Sequence, residues 1–295
     1  MKLAAGALFA MALALGICPG GLVEARWLDM PLIETTPTPP ACVTASPIPP
    51  PATSASSFAV YDPAAGRFLW EHNAGARRFP SSLTKIATAI VALESRVDLG
   101  GEVTVDVDYR THSRSSDLGL RPGMRTTLGD LFAGMLVSSG NDAAKELAAE
   151  VAGSETTFVE RMNELVDRLG LQDTGFANAH GRDREGQYST AHDLALLAAE
   201  AMGHPEFRAA VAQTSATIAV DGEPWRLAST NRFLSSYGGA TGIKTGFTVL
   251  GGPSLAASAY REGRELIVVL LNDPDRFADA GRLLDWAFAN HDWDC

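Results

Sequence analysis

Apolar and polar residues alternate in short runs near residue 60 and again in the last third of the chain, which is typical of β-strands. Residues 57–62 and 67–72 flank the turn signal Pro63-Ala64-Ala65-Gly66 and predict an antiparallel hairpin. Residues 277–289 predict a closing helix. Five later runs predict strands, and their close spacing requires antiparallel pairing: 216–220, 225–229, 242–247, 254–260 and 265–271.

Between these strands the apolar residues recur at helical spacing. One helix begins at about Ser82 and is apolar nearly all round, which predicts deep burial. Further helices are predicted over 128–137, 143–151, Ser154 to Gly170, and Thr190 to Met202. The expected fold class is therefore α/β (α+β): an antiparallel sheet flanked by helices, with a helical insertion at about residues 110–210.

The N-terminal segment has the features of an export signal. Lys2 precedes an apolar run over 3–17, and Val23-Glu24-Ala25 resembles a small-x-small cleavage site, so residues 1–25 are predicted to be a signal peptide. An uncleaved anchor is the alternative, although the run is short for a membrane span. Residues 26–56 are rich in Pro and predict an extended linker, so the folded domain is expected over 57–295. We expect a protein exported to the periplasm or to the extracellular or cell-wall space.

Two cysteines would remain after cleavage, Cys42 and Cys295. In an oxidising compartment they could form a disulfide that ties the linker to the end of the chain. Mass spectrometry of non-reduced peptides that found two free thiols would exclude this pairing.

Charge and motif content exclude several classes of function. A net charge of −11 and a pI near 5.0, without a basic cluster, argue against a nucleic-acid partner. The sequence has no G-x-x-x-x-G-K-[ST], no H-E-x-x-H and no paired C-x-x-C, so nucleotide hydrolysis and zinc chemistry lack their usual signatures. We therefore expect no cofactor and no metal.

Lysine is rare in this chain: of 24 Lys and Arg residues only four are lysine, namely Lys2, Lys85, Lys145 and Lys244. Arg stays protonated, whereas burial can deprotonate a lysine amine. In Ser82-Leu83-Thr84-Lys85 the i, i+3 spacing places a hydroxyl and an amine on one helix face. Such a pair can act as nucleophile and base if the lysine pKa falls well below its free value.

Two further motifs fall where a Ser–Lys enzyme would need them. Ser139-Gly140-Asn141 falls at a predicted break between helices, and Lys244-Thr245-Gly246 falls on a predicted strand. Each is weak alone. Together with Ser82-x-x-Lys85 they resemble the three signatures of penicillin-binding proteins and serine β-lactamases. From about Ser57 to Ala289 the sequence is similar to the low-molecular-mass D-alanyl-D-alanine carboxypeptidases, which carry the fold of that superfamily.

The resemblance implies a role for each motif residue. Ser82 would attack the D-Ala-D-Ala carbonyl of a peptidoglycan stem peptide, and Lys85 would accept its proton. Ser139 would relay a proton to the leaving amine. The substrate-binding residues would be Asn141, Lys244, Thr245, Gly246 and Phe247: Asn141 for the peptide amide, Lys244 and Thr245 for the terminal carboxylate, and the Phe247 N–H, with that of Ser82, for the oxyanion. β-Lactams would acylate the same serine.

An electrostatic argument supports this arrangement independently. Lys244 close to Lys85 would disfavour a second positive charge and so help Lys85 to stay neutral. His180 and His192 lack a triad-like context and are expected to be structural.

Alternatives remain within and outside this family. A class A-like β-lactamase would need a Glu-x-x-Leu-Asn segment, which is absent between Asn141 and Lys244. The sequence hardly distinguishes a carboxypeptidase from a D,D-endopeptidase that cuts cross-links. A non-catalytic penicillin-binding module is the third alternative. Many family members continue into a β-rich domain and an amphipathic anchor; here the sequence ends at Cys295, so no firm membrane anchor is expected.

Overall fold

The computed structural model describes residues 48–106, 108 and 116–291. The predicted signal peptide, most of the predicted linker, Cys42 and Cys295 lie outside the described residues, so those expectations stay predictions. None of the helices in the described part of the chain combines the length and apolar character that a membrane crossing requires.

The described residues form strands and helices in the expected order: strands first, helices in the middle, strands again, and a closing helix. The strands are β1 (Ser57–Asp62), β2 (Arg67–His72), β3 (Glu102–Thr104), β4 (Arg125–Thr127), β5 (Ser215–Val220), β6 (Glu223–Ala228), β7 (Ala240–Thr248), β8 (Gly252–Arg261) and β9 (Arg264–Leu271). The helices are α1 (Lys85–Glu94), α2 (Leu128–Val137), α3 (Asn141–Ala152), α4 (Glu155–Leu169), α5 (Ala191–Met202), α6 (Pro205–Val211), α7 (Phe233–Ser236) and α8 (Arg276–Asn290).

The main sheet is antiparallel and has the strand order β2-β1-β9-β8-β7. Its middle strand β9 is apolar from Leu266 to Leu271, as expected for a strand that is covered on both faces. Leu266, Val268 and Leu270 face α8, whereas Ile267 and Val269 face the helical layer that contains α1 and α5. The strand β7 lies at the edge of the sheet, which leaves the outer side of its backbone free of a strand partner.

Side-chain caps explain where three of the helices begin. Thr127, Ser154 and Thr190 each accept a hydrogen bond from the backbone N–H three residues later. At the other end of α4, Gly170 adopts the left-handed conformation that ends a helix. The apolar surface of α1 predicted deep burial, and the helix is buried from Lys85 through Ala92.

The structure differs from the sequence expectations in three places. Strands β5 and β6 pair as predicted but form a separate two-stranded sheet, because β6 carries exposed polar residues and its hairpin covers α2 instead of joining β7. The hairpin β3–β4 and the helices α6 and α7 were not predicted. The end of the predicted linker is also bound to α8. Ser54 N donates to Asp279 Oδ2 at 2.8 Å, and Trp286 Nε1 donates to Ile48 O at 3.0 Å.

Candidate active site

Ser82 lies on a 3-10 turn rather than in the first turn of an α-helix. The turn covers Ser81–Thr84, and α1 begins at Lys85, so the expected helix start near Ser82 is one turn too early. Ser81 has a φ of +52°, and Thr84 Oγ1 closes the turn by donating to Ser81 O at 2.8 Å. In a 3-10 helix residues three apart eclipse each other, which keeps Ser82 and Lys85 on one side.

The Lys85 amine joins three separate segments. Its Nζ lies 3.1 Å from Ser82 Oγ, and it donates to Asn141 Oδ1 and to the His180 carbonyl oxygen, each at 2.6 Å. The Lys85 side chain is fully buried. The amine is therefore fixed by two acceptors in addition to its contact with the serine hydroxyl, and it is shielded from bulk water.

This environment favours the uncharged amine. Burial lowers the pKa of Lys85 well below its ordinary value because the charged form loses its hydration, and the charge of Lys244 lowers the pKa further. Asp117 and Asp142 act in the opposite direction with smaller effect. The influence of Lys244 agrees with the sequence-based expectation.

The segment Ser139-Gly140-Asn141 lies at the break between α2 and α3, as predicted. Ser139 has a φ of +65°, and Asn141 is the first residue of α3. The neighbouring Asp142 was given no role from sequence, yet its carboxylate accepts hydrogen bonds from the backbone N–H groups of Leu118, Gly119 and Leu120. This carboxylate fixes the 118–120 loop against the start of α3.

On β7, Lys244 and Thr245 lie next to each other and have different surroundings. Lys244 is buried, donates to Thr245 O at 3.2 Å, and has its pKa lowered to about 7 by desolvation. The Thr245 hydroxyl lies 2.6 Å from the Thr230 hydroxyl, which ties the edge strand to the loop after β6. Burial disfavours the charged form of Lys244, because the ammonium group loses its hydration.

Two glycines permit the strand and a loop to approach the nucleophile. A Cβ on Gly246 would lie 3.1 Å from Ser81 Cβ and 3.4 Å from Ser82 N. A Cβ on Gly181, whose φ is +91°, would lie 1.9 Å from Ser81 O. The sequence predicted Gly246 as a substrate-binding residue; in the structure the protein's own Ser82 segment packs closely against this glycine.

Gln187 is a site residue that sequence reasoning missed. It is buried, its Oε1 accepts from the N–H groups of Ala177 (2.6 Å) and Asn178 (3.3 Å), and its Nε2 donates to Thr84 Oγ1 at 2.8 Å. Gln187 thus joins the 177–181 loop to the turn that carries Ser82. A lone glutamine in a polar loop gives no sequence signal for this role.

His180 contributes its backbone carbonyl, not its ring, to Lys85. The ring is oriented by Arg182 N, 3.3 Å from Nδ1, and by Glu155, whose Oε1 lies 3.6 Å from Nε2. The described residues contain one group of metal-ligand type, Glu94, Glu200 and His204, and it shares no residue with this cleft.

Comparisons with known proteins agree with these observations. A family model described as D-alanyl-D-alanine carboxypeptidase matches residues 43–275. The chain is 38% identical over 253 residues to D-alanyl-D-alanine carboxypeptidase DacC of Escherichia coli, a match that covers 81% of this chain and 62% of the relative. It is 32% identical to D-alanyl-D-alanine carboxypeptidase DacB2 of Mycobacterium tuberculosis, with 82% and 85% covered. The chain therefore spans less than two thirds of the first relative's length.

A solved structure is also similar. The Streptomyces K15 DD-transpeptidase superposes with a TM-score of 0.77 at 31% identity, covering 82% of this chain and all of that one. This likeness supports the mixed α/β fold class with its antiparallel sheet, as expected from sequence.

Proposed function

Because the chain belongs to the D-alanyl-D-alanine carboxypeptidase family, we propose that it is a serine-type D,D-carboxypeptidase. It removes the terminal D-alanine from peptidoglycan stem peptides that end in D-Ala-D-Ala. The observation that carries this proposal is the buried Lys85 amine, 3.1 Å from Ser82 Oγ and fixed by two other acceptors.

The geometry around Lys85 supports its role as the base. A neutral amine has two N–H groups and one lone pair. The two N–H groups can point to Asn141 Oδ1 and the His180 carbonyl, which directs the lone pair to the Ser82 hydroxyl. The charged form would have no lone pair, so the lowered pKa of Lys85 is needed for base catalysis.

Acylation then proceeds by attack of Ser82 Oγ on the carbonyl carbon of the penultimate D-alanine. The hydroxyl proton passes to Lys85, and a proton reaches the leaving amine from Lys85 or through Ser139 as the C–N bond breaks. The N–H groups of Ser82 and Phe247 stabilise the oxyanion: the first lies in the 3-10 turn Ser81–Thr84 and the second on the edge strand β7. Water hydrolyses the resulting ester and frees Ser82.

The substrate carboxylate binds at Lys244 and Thr245. Lys244 has a pKa of about 7 in the free protein, so an arriving carboxylate supplies the negative charge that favours its protonated form. The same contact places the scissile carbonyl beside Ser82, because Gly246 brings β7 against the nucleophile's backbone. Asn141 lies at the opposite wall and binds the substrate's peptide amide.

The proposal includes covalent binding of β-lactams at Ser82. It also includes export to the periplasm or to the extracellular or cell-wall space, which the composition of residues 1–25 supports. Cleavage of cross-links by the same acyl-enzyme chemistry is the second candidate activity. It differs only in the amine that leaves, and the three motifs serve both reactions.

The test is release of free D-alanine from a stem pentapeptide by the purified full chain, with Ser82→Ala as matched control. We expect release by the parent protein and none by the variant. A cross-linked muropeptide dimer in parallel reactions measures endopeptidase activity. No release by a folded parent protein, or equal release by Ser82→Ala, would contradict the proposal.

A further inference from the structure

Two buried carboxylates meet where β9 leads into α8. Asp273 lies in the connecting loop and Asp279 in the first turn of α8, and neither side chain is exposed to solvent. Burying an ionised carboxylate is costly unless hydrogen bonds or an opposite charge compensate it. The proposed reaction uses neither residue, so their burial requires a different explanation.

Both carboxylates converge on Ser54, at the end of the predicted linker. Ser54 N donates to Asp279 Oδ2 at 2.8 Å. The Ser54 hydroxyl donates to Asp273 Oδ1 and lies 3.3 Å from Asp279 Oδ2. A hydroxyl has a single proton, so it cannot donate fully to two carboxylates at once. The attachment of the linker to the folded domain therefore depends on how the two carboxyl groups are protonated.

The nearby cations compensate the two carboxylates unequally. Arg282 forms an ion pair with Asp279 Oδ1. Asp273 has no such ion pair among the described residues, and its Oδ2 is buried without a hydrogen-bond partner there. Burial lowers the pKa of Arg276, the charge of Asp273 raises it, and the charge of Arg232 lowers it again. Arg276 thus attracts the Asp273 carboxylate without contacting it directly.

This environment favours the protonated form of Asp273. Burial raises the pKa of Asp273 above its ordinary value, and the charge of Asp279 raises it further. The hydrogen bonds from Ser54 and from Asp275 N, the latter at 2.9 Å, lower it. Two adjacent carboxyl groups with one proton between them avoid the repulsion of two adjacent negative charges.

We propose that Asp273 and Asp279 share one proton and, with Ser54, form a pH-controlled latch that fastens the end of the linker, residues 48–56, to α8. With the proton present, one carboxyl group donates to the other and Ser54 binds both. When the proton leaves to solvent, the two buried carboxylates repel each other, and an open latch in which water reaches them is favoured. The latch is complete below the ordinary aspartate pKa and is lost as pH rises through the raised pKa of Asp273.

The experiment measures hydrogen exchange of the Ser54 amide by NMR in the full chain across pH, corrected for its intrinsic rate and referenced to an amide of β1. We expect protection of the Ser54 amide to fall by up to about tenfold per pH unit between the ordinary aspartate pKa and the raised pKa of Asp273. Asp273→Asn supplies a permanent N–H donor in place of the shared proton, so its protection should not change with pH. Asp275→Asn removes an exposed charge of the same sign two residues away and should keep the parent profile.

A second measurement reports the shared proton itself. Infrared difference spectra of the parent protein should show the carbonyl band of a protonated carboxylic acid that disappears over the same pH range, and Asp273→Asn should lack this band. Constant protection of the Ser54 amide in the parent protein overturns the inference, whether or not Asp273→Asn folds. A folded Asp273→Asn variant that follows the parent profile, or a parent protein without the infrared band, also overturns it.

Discussion

Replacing Asn141 by Asp tests the protonation state of Lys85 with almost no change in shape. The Asn141 Oδ1 atom lies 2.6 Å from Lys85 Nζ. At an effective dielectric of about 20, two unit charges at that distance attract by about 6 kcal/mol. Desolvation of the buried carboxylate removes several kcal/mol, which leaves about 2–4 kcal/mol in favour of the ammonium form.

Each 1.4 kcal/mol raises the pKa of Lys85 by about one unit, and the neutral fraction falls about tenfold for every unit by which the pKa exceeds the assay pH, so acylation at neutral pH should slow by up to about 1,000-fold. The assay is the second-order rate of Ser82 labelling by a fluorescent penicillin across pH, with a melting curve to verify folding. Gln172→Glu, an exposed change of equal charge, is the control and should label at the parent rate. Parent-like labelling of Asn141→Asp at pH 7, or a deficit that does not shrink as pH rises, would refute this reasoning.

Two other residues give independent predictions. Lys244 has a pKa of about 7 in the free protein, so kcat/KM should fall above about pH 7 as the cation that binds the carboxylate is lost. Lys244→Arg should abolish this decrease at alkaline pH, because Arg stays protonated. If the decrease remained, a group other than Lys244 would cause it. Gln187→Leu leaves the N–H groups of Ala177 and Asn178 without their acceptor and should lower the free energy of unfolding by about 2–4 kcal/mol. Urea unfolding measures this, and a change under about 0.5 kcal/mol would contradict it.

The order of strands and helices could be predicted from sequence because apolar periodicity and caps are local signals. Thr190 and Gly170 mark real helix ends, and residues 266–271 of β9 are a continuous apolar run buried on both faces. Sheet membership could not be predicted for β5 and β6, since it depends on which surface a hairpin covers. The three-residue strands β3 and β4 are too short to show a period.

The sequence predicts the side chains of the candidate site, but it does not predict the backbone groups that take part in the site. Ser82, Lys85, Asn141 and Lys244 are chemically distinctive, and the structure brings them into one cleft. The His180 carbonyl gives no sequence signal, because every residue has a carbonyl and only tertiary structure decides its partner. Gln187 and Asp142 act in the same way, through the backbone groups of loops.

The most direct measurement of the central claim is penicillin labelling of Lys85→Arg. Arginine keeps the positive charge but cannot act as a neutral base at any ordinary pH. With folding verified by circular dichroism, we predict that Ser82 labelling falls to the level of Ser82→Ala. Labelling at the parent rate would contradict the claim that an uncharged Lys85 amine activates the serine.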